Sequence, residues 1–472
     1  MTFPLKSRFA PSPTGLIHFG NVRTALFNAL LSRKFGGTFL LRIEDTDAAR
    51  SREEYTLALQ EDLRWLGLLW QEGDGVGGDL GPYRQSGRVS IYEEHLKTLE
   101  AQDRVYPCFC SAIELEVSRK IQAQSGQPPR YGGKCAHLKP DEIENKKNQG
   151  LPYTLRFRMP KKESVEFFDL VRGRQSFPTD EIGDFIIRRS DGTFAFFYVN
   201  ALDDALMQVT HVLRGEDHLT NTPRQIAILN AFGLPIPQYG HISLIVDGMG
   251  APLSKRSGSL SVQELREIGY FPIAVDNYLA RLGHNYAENS LMDLDALAAS
   301  FSPDNLGRAP ARYDRTQLDH WQALALQKTD AAIIAQWIAP QVSSWVPEAD
   351  LMNFTEAVRD NLLFPHDARI WAEAVYSATL PLSPDAIAMI EETPVDFFRE
   401  ASTLLTPELD FKAFAQRVRE KTGAQGKKLF MPLRAALTGQ THGPEMPRVL
   451  PLIGYERARH RLLAHVLNED ID

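Results

Sequence analysis

Apolar residues in the first hundred positions alternate between short continuous runs and runs with helical spacing. Leu5 to Ala10 forms a strand-like run, residues 11–15 are rich in turn formers, and a helix is predicted from Val22 to Phe35. Residues 38–43 predict a second buried strand, which leads directly into the acidic residues 44–47. This alternation predicts βα units and therefore an α/β fold.

Further along the chain, the pattern predicts other elements of the same domain. Ser51 and Glu54 have the spacing of a helix capping box. Residues 185–202 suggest a hairpin that turns at residues 190–192, and the strand 209–215 is followed by a helix with Pro223 in its first turn. From about Gln322 onward, helical periodicity replaces the βα alternation.

Composition limits the class of protein. The chain has 472 residues, of which 43% are apolar and 24% charged, so we expect several packed domains and no membrane span. The N-terminus has no apolar signal region, which predicts a soluble, cytoplasmic protein. A net charge of −8 argues against nonspecific coating of nucleic acid, although Lys428 and Arg434 predict a local basic face that could contact RNA.

A first candidate for chemistry lies between the first strand and the first helix. Gly15, His18, Gly20 and Asn21 stand where backbone N–H groups and the helix dipole favour phosphate. His18 could donate a hydrogen bond to a phosphate oxygen, and Gly20 would allow close approach of a nucleotide. Taken alone, this short motif is more typical of an ordinary surface turn with a histidine cap.

A second candidate lies far downstream in a loop of small residues. Ser254, Lys255 and Arg256 combine a hydroxyl with two adjacent cations, which suits a triphosphate. An exposed basic loop without any ligand would have the same composition, so this segment also decides nothing by itself.

The two segments together resemble the paired signatures of class I aminoacyl-tRNA synthetases. In that family the first signature lies at the start of the first helix, and the second forms a loop that closes over ATP. The strings RFAPSPTG, RIEDTD, VLRGEDH and LSKRSGS resemble those of the bacterial glutamyl-tRNA synthetases, and the similarity extends to the end of the chain. The resemblance implies catalytic roles for His18 and Lys255 at the phosphates. It implies ATP contacts by Gly15, His18, Gly20, Asn21, Ser254, Lys255 and Arg256.

Carboxylate recognition should depend on arginine, because its planar fork matches a carboxylate with two hydrogen bonds. Arg8 and Arg214 are the candidates. The resemblance places Arg8, Ser12, Glu44, Asn200 and Arg214 around glutamate, with Glu44 suited to its ammonium group. One residue departs from the family: Phe196 stands where a tyrosine is frequent, and the sequence leaves open whether Tyr198 replaces the missing hydroxyl.

All three cysteines of the chain lie in one stretch, followed closely by a histidine. One residue separates Cys108 from Cys110, and one residue separates Cys135 from His137. Residues 111–134 lie between the two pairs. Three thiolates and one imidazole suit a closed, tetrahedral zinc site, which could hold together an insertion with a small core. Reduced, buried cysteines beside an unrelated histidine remain the alternative.

The sequence thus predicts a Rossmann-like α/β catalytic domain with an inserted zinc-bearing α+β subdomain, followed by mainly α-helical connector and anticodon-binding domains. The expected parts are the catalytic domain at 1–105 and 186–245, an acceptor-end-binding insertion at 106–185, a stem-contact connector at 246–325 and an anticodon-binding region at 326–472. The expected reaction is ATP-dependent ligation of glutamate to tRNA-Glu by a monomer that uses Mg²⁺ and one Zn²⁺. Charging of tRNA-Gln stays open as an alternative.

Rival functions make different demands on the chain. A glutaminyl-tRNA synthetase would end in β-barrels, and a relative that glutamylates a modified tRNA base would lack the long helical tail after Gln322. A nucleotidyltransferase for small molecules would need no such tail, and a noncatalytic zinc-bearing RNA-binding protein would not need the Lys255 loop.

Overall fold

A computed structural model describes residues 4–47, 49–126, 129–253 and 260–466. Ser254, Lys255 and Arg256, which the sequence assigns to ATP, lie outside the described residues. The chain divides into two compact units, Met1–Leu265 with Val275–Gln317 and Arg266–Ala274 with Leu318–Asp472. None of the described helices has the length and hydropathy that crossing a membrane requires.

The strands and helices follow the chain in the order predicted, with α/β alternation first and helices afterwards. The strands are β1 (Lys6–Phe9), β2 (Thr38–Leu41), β3 (Glu72–Gly73), β4 (Val105–Cys108), β5 (Thr154–Phe157), β6 (Ser164–Asp169), β7 (Gly173–Pro178), β8 (Phe185–Arg188), β9 (His211–Gly215), β10 (Gln238–Ile242), β11 (Ile245–Val246) and β12 (Ala311–Arg312). The helices are α1 (Phe19–Lys34), α2 (Glu53–Trp65), α3 (Val89–Ala101), α4 (Ala112–Gln124), α5 (Pro140–Asn148), α6 (Thr179–Ile182), α7 (Phe196–Leu206), α8 (Thr222–Phe232), α9 (Val262–Ile268), α10 (Pro272–Arg281), α11 (Leu294–Ser300), α12 (Arg315–Lys328), α13 (Ala331–Val342), α14 (Leu351–Val358), α15 (Ala368–Tyr376), α16 (Pro384–Glu391), α17 (Val395–Leu404), α18 (Phe411–Thr422), α19 (Lys427–Thr438), α20 (Met446–Ile453) and α21 (Tyr455–Ala464).

A parallel five-stranded sheet forms the centre of the first unit, with strand order β10-β9-β1-β2-β3. Most residues of these strands are buried, as expected for a sheet with helices on its faces. Parallel strands bring their carboxyl ends to one edge, where α/β proteins bind ligands. This sheet confirms the predicted α/β class and shows which side chains meet at that edge.

The chain between the first and second parts of this sheet forms smaller structures. β4, β5 and β8 pair as an antiparallel sheet, and β6 and β7 form a hairpin. Two helices in this stretch, α4 and α5, bury no residue fully. Mixed α and β structure is therefore present here, as predicted for an insertion, while the exact domain limits stay a prediction.

Two local predictions are wrong. Residues 193–202 do not form the second strand of a hairpin: Arg188 and Phe194 share a single bridge, and the chain becomes helical at Phe196. Aromatic residues favour strands, but the apolar positions at 198, 201, 202 and 205 have helical spacing, and α7 packs on α8.

The predicted capping box at α2 is the second error. The helix begins later than expected, with Arg52 as its N-cap, and the Ser51 hydroxyl has no hydrogen-bond partner. Because a capping box needs its serine directly at the N-cap position, the shift of one residue removes the interaction.

The second unit is helical throughout its described residues from 318 to 466, where no strand occurs. Apolar faces of α13, α14, α15, α17, α18, α19, α20 and α21 enclose one core that includes the buried residues Ile338, Phe354, Phe398 and Leu433. This confirms the predicted mainly helical character of the C-terminal part.

Asn28 provides a testable contribution to the central sheet. Its amide donates to the Leu213 carbonyl at 2.8 Å and its oxygen accepts from the Leu213 N–H at 3.3 Å, all within the buried core. Asn28→Ala would leave these groups unsatisfied at a cost of about 2 kcal/mol, and we expect the melting temperature to fall by roughly 4–8 °C. The exposed Asn230→Ala is the control, and equal melting temperatures of both variants would contradict this role.

Candidate active site

Four of the predicted glutamate-binding residues meet at the carboxyl edge of the parallel sheet. Arg8 lies on β1, Glu44 follows β2, Arg214 lies on β9 and Asn200 extends from α7, and these side chains are 1–5% exposed. The fifth, Ser12, is exposed in the segment that follows β1. The structure therefore brings Arg8, Glu44, Asn200 and Arg214 into one buried polar region.

Hydrogen bonds connect these residues in a continuous chain. The Asn200 amide donates to Glu44 Oε1 at 2.5 Å, and the Gln225 amide donates to Asn200 Oδ1 at 2.7 Å. Arg214 Nη2 then donates to Gln225 Oε1 at 2.6 Å and to Thr222 Oγ1 at 2.7 Å. Because each polar group fixes the next, Glu44 and Arg214 are held at a defined distance from one another.

Buried arginine and carboxylate groups form the base of this region. Arg42 donates to Asp204 Oδ1 at 2.7 Å and to Glu44 Oε1 at 3.0 Å, and Arg8 Nε lies 3.4 Å from Asp204 Oδ1. Arg88 Nε donates to Asp203 at 2.6 Å. The buried charges are therefore paired, as the low-dielectric interior requires.

The pairing decides the charge state of the carboxylates. Burial opposes ionisation of Asp204 most strongly, but Arg42 and Arg8 overcome it and hold the pKa of this carboxyl below its ordinary value. Burial raises the pKa of Glu44, despite the opposing effects of Arg42 and Arg8. A cation near Glu44 would favour its charged form, which is what a substrate ammonium group would do.

Arg214 keeps one buried donor without a protein partner. Its Nη1 makes no hydrogen bond with the described residues, although the residue is only 4% exposed. An unsatisfied buried N–H of a charged group is costly, so its retention suits a ligand acceptor at this position. A carboxylate is the group that a guanidinium edge recognises best.

The predicted phosphate-binding turn lies beside the same edge. His18 is the N-cap residue of α1, whose first turn has no acidic side chain. Gly20 and Asn21 are exposed, and a Cβ at Gly15 or Gly20 would meet no atom within 4 Å. The N-terminus of α1 is thus open and positively polarised, as an anion site needs.

For the downstream half of the predicted ATP site, the structure describes only the residues on either side of 254–259. Ser261, which lies shortly after residues 254–259 in the chain, forms a backbone bridge with His18, and Val262 N donates to Ile17 O at 3.2 Å. The backbone that leaves the Lys255 segment therefore contacts the His18 turn, two regions that are far apart in the sequence.

The three cysteines converge in the insertion. The sulfur atoms of Cys108, Cys110 and Cys135 all lie within 4.8 Å of one another. His137 is exposed and does not belong to this group, whereas the Tyr131 hydroxyl lies 3.4 Å from Cys108 Sγ and 3.7 Å from Cys110 Sγ. Three sulfur atoms at this spacing fit a soft tetrahedral ion such as Zn²⁺.

Phe196 and Tyr198 occupy different environments. The Phe196 ring is half-buried and lies 5.2 Å from the His218 ring, measured between centroids. Tyr198 is fully buried and donates to the Tyr92 carbonyl at 2.9 Å. Residues two positions apart on a helix point in different directions, so the Tyr198 hydroxyl does not replace a hydroxyl at position 196.

The sequence patterns missed most of the supporting residues. Arg42 is separated from the acidic run 44–47 only by Ile43, and Asp204 belongs to a pair of adjacent acidic residues. Both residues therefore had a visible sequence signal, which is charge beside an apolar run. Gln225 and His241 had none, because each lies in an apolar segment whose partners come from other elements.

The chain is similar to known proteins over almost its whole length. Residues 4–320 match the family model of tRNA synthetases class I (E and Q), catalytic domain, and residues 335–466 match an anticodon binding domain. The chain is 57% identical to glutamate–tRNA ligase 2 of Nitrosococcus oceani, over 97% of each protein. It is 56% identical to glutamate–tRNA ligase 2 of Alkalilimnicola ehrlichii, again over 97% of each.

A solved structure is similar in fold across the same length. The crystal structure of a glutamate tRNA ligase from Elizabethkingia meningosepticum in complex with its amino acid has a TM-score of 0.89 and 27% identity. The matched region covers 98% of this chain and 99% of the chain in that crystal structure.

His218 makes the stability of the site depend on pH. Burial, together with the positive charge of Arg214, lowers the pKa of His218 from 6.5 to about 4. Between these values the unfolded chain binds a proton that the folded chain excludes, so stability falls as the pH falls through this window. We expect the melting temperature of His218→Asn to decrease less than that of the wild type between pH 7 and pH 5. His460→Asn, an exposed histidine in the other unit, is the control, and parallel wild-type and His218→Asn curves would refute the assignment.

Proposed function

The chain belongs to the glutamate–tRNA ligases of class I, and we propose that the buried polar site at the carboxyl edge of its sheet binds the glutamate substrate. The enzyme activates glutamate with ATP and transfers it to the 3′-terminal adenosine of tRNA-Glu. The observation that supports the location of the glutamate is the buried Arg214 Nη1, which has no acceptor among the described residues.

Glutamate carries two carboxylates and one ammonium group, and the site offers complementary charges to each. Arg8 and Arg214 are assigned to the carboxylates, and Glu44, fixed by Asn200, to the ammonium. Ser12 is exposed beside β1 and is assigned to the same substrate. Glutamine has one carboxylate fewer than glutamate, so a buried arginine would be left without a charged partner. This cost opposes the binding of glutamine.

The nucleotide is assigned to the turn before α1 and to the loop that carries Lys255. In the first step an oxygen of the glutamate α-carboxylate attacks the α-phosphorus of ATP, and the bond to the β-phosphate oxygen breaks with release of pyrophosphate. His18 and Lys255 would stabilise the charge that develops on the phosphates. Gly15, Gly20, Asn21, Ser254 and Arg256 complete the proposed contacts, and Mg²⁺ would be held by phosphate oxygens and neutralise their charge.

The second step transfers the glutamyl group to RNA. A ribose hydroxyl of the terminal adenosine attacks the activated carbonyl and AMP leaves, so positioning replaces any need for a covalent protein intermediate. Within this scheme, 106–185 would contact the acceptor end, 246–325 the tRNA stem and 326–472 the anticodon. Lys428 and Arg434 on α19 are proposed RNA contacts of the last region.

A Zn²⁺ ion is proposed at the cysteine cluster. Cys108, Cys110 and Cys135 provide three thiolates from segments that otherwise have only a small shared core. The fourth ligand would be His137, which the sequence predicts, or Tyr131, whose hydroxyl lies beside two of the sulfur atoms. The ion would stabilise the insertion and take no part in the reaction.

The activity and the role of Lys255 can be measured together. We expect the purified enzyme to charge tRNA-Glu with glutamate and not with glutamine. With tRNA present, Lys255→Ala should lower ATP–pyrophosphate exchange by roughly two to three orders of magnitude, because a charged transition-state donor is lost. Unchanged exchange would refute the role of Lys255. Separated tRNA-Glu and tRNA-Gln isoacceptors, charged in parallel, determine whether tRNA-Gln is also a substrate.

Metal analysis tests the cysteine cluster. We expect about one zinc per chain after mild purification, and its loss in Cys110→Ser. Tyr131→Phe and His137→Ala then identify the fourth ligand, since the variant that removes it should release zinc more readily to a chelator. Tyr153→Phe, an exposed tyrosine of the same insertion, is the control. A zinc-free wild-type protein would overturn the proposal.

A further inference from the structure

A fully buried carboxylate and a fully buried histidine lie behind Arg214. Asp169 ends β6, His241 lies on β10 opposite Arg214 of β9, and both Asp169 and His241 are 0% exposed. None of the roles assigned above uses this pair, although burying both groups is costly.

The hydrogen bonds of Asp169 show that it acts only as an acceptor. Its Oδ1 accepts from the N–H groups of Val171 at 2.9 Å, Arg172 at 2.8 Å and His241 at 3.1 Å, and its Oδ2 lies 2.5 Å from His241 Nδ1. Although burial opposes ionisation, the bonds from His241 and the backbone keep the pKa of Asp169 below its ordinary value. His241 Nδ1 must therefore carry the hydrogen of the shared bond.

This bond decides what the other ring nitrogen can do. Burial lowers the pKa of His241, so the ring is neutral, and with the hydrogen on Nδ1 the Nε2 atom has a free lone pair. Arg214 Nε lies 3.2 Å from Nε2 and Thr222 Oγ1 lies 2.9 Å from it. His241 is thus an acceptor for the guanidinium of Arg214.

The acceptors around Arg214 cover only part of its guanidinium group. Nε donates to His241, and Nη2 donates to Thr222 and Gln225. The guanidinium plane is therefore fixed in rotation, and the remaining buried nitrogen, Nη1, has no acceptor within the described part of the chain. A freely rotating arginine would lose more entropy on binding a carboxylate than one that is already held.

We propose that the Asp169–His241 pair is a positioning device that holds His241 in the Nδ1–H tautomer and thereby directs Arg214 Nη1 toward a carboxylate of glutamate. Asp169 and His241 touch no substrate and act through Arg214. The inference rests on the proposed glutamate site and adds two residues that determine affinity for the amino acid, with no effect on the nucleotide.

Asp169→Asn tests the tautomer with almost no change in shape. The amide oxygen can still accept the three backbone N–H groups, but its NH₂ then faces His241 Nδ1. The ring hydrogen is forced onto Nε2, where it opposes the N–H of Arg214. We expect KM for glutamate to rise about tenfold or more, with KM for ATP and kcat near their wild-type values. Glu166→Gln, which removes an exposed carboxylate from the same strand, is the matched control and should leave all three constants unchanged.

Two substitutions of His241 give an independent measurement. The amide of His241→Gln can place an oxygen near the position of Nε2 and preserve an acceptor for Arg214, whereas His241→Asn can reach only the position of Nδ1. We expect KM for glutamate to be raised more in His241→Asn than in His241→Gln.

The outcomes separate this inference from the function on which it rests. If the wild-type enzyme charges tRNA with glutamate but Asp169→Asn leaves KM for glutamate unchanged, the positioning role is wrong. A parallel rise in KM for ATP, or equal KM values in the two His241 variants, also overturns it. A wild-type enzyme that does not charge glutamate would refute the proposed function itself.

Discussion

The carboxyl edge of the parallel sheet depends on the requirement that buried charge be compensated. Arg42 is completely buried and contacts both Glu44 and Asp204, while Arg8 shares Asp204 and Arg88 neutralises the neighbouring Asp203. Removing Arg42 would leave Glu44 without a salt-bridge partner among the described residues, and an unpaired charge in a low-dielectric interior costs several kcal/mol. The network therefore holds the polar groups at this edge in place, which is the arrangement that the proposed glutamate site requires.

The same principle would make the proposed glutamate site selective. Arg214 has acceptors on Nε and Nη2, and its Nη1 has none among the described residues. A substrate without a carboxylate at this position would leave that donor desolvated, which disfavours binding more strongly than the loss of an apolar contact would. Phe196 contacts the His218 ring, with 5.2 Å between the ring centroids.

How far the sequence could predict the molecule follows from the range of the interactions involved. The parallel strands, α1 and the helical C-terminal part were predictable because their apolar periodicity is local. Residues 193–202 were predicted as a strand because their aromatic composition favours β structure. The helical spacing of positions 198, 201, 202 and 205, together with packing against α8, favours a helix from Phe196 instead. The capping box at Ser51 failed because a cap depends on the exact residue where a helix begins.

By itself, the sequence determined the class of fold and the residue types of the candidate site. The reason is that short motifs contain Arg8, Glu44, Arg214, His18 and the cysteines, and the chemistry of each motif can be inferred from its own residues. The tertiary structure alone decided which groups support them. His241 reaches Arg214 from another strand, Gln225 reaches both Arg214 and Asn200 from a helix, and Asp169 reaches His241 from a further strand. Tyr131 lies beside Cys108 and Cys110, where His137 does not. These contacts join residues distant in the chain, and linear spacing carries no information about which distant side chains will share a buried hydrogen bond.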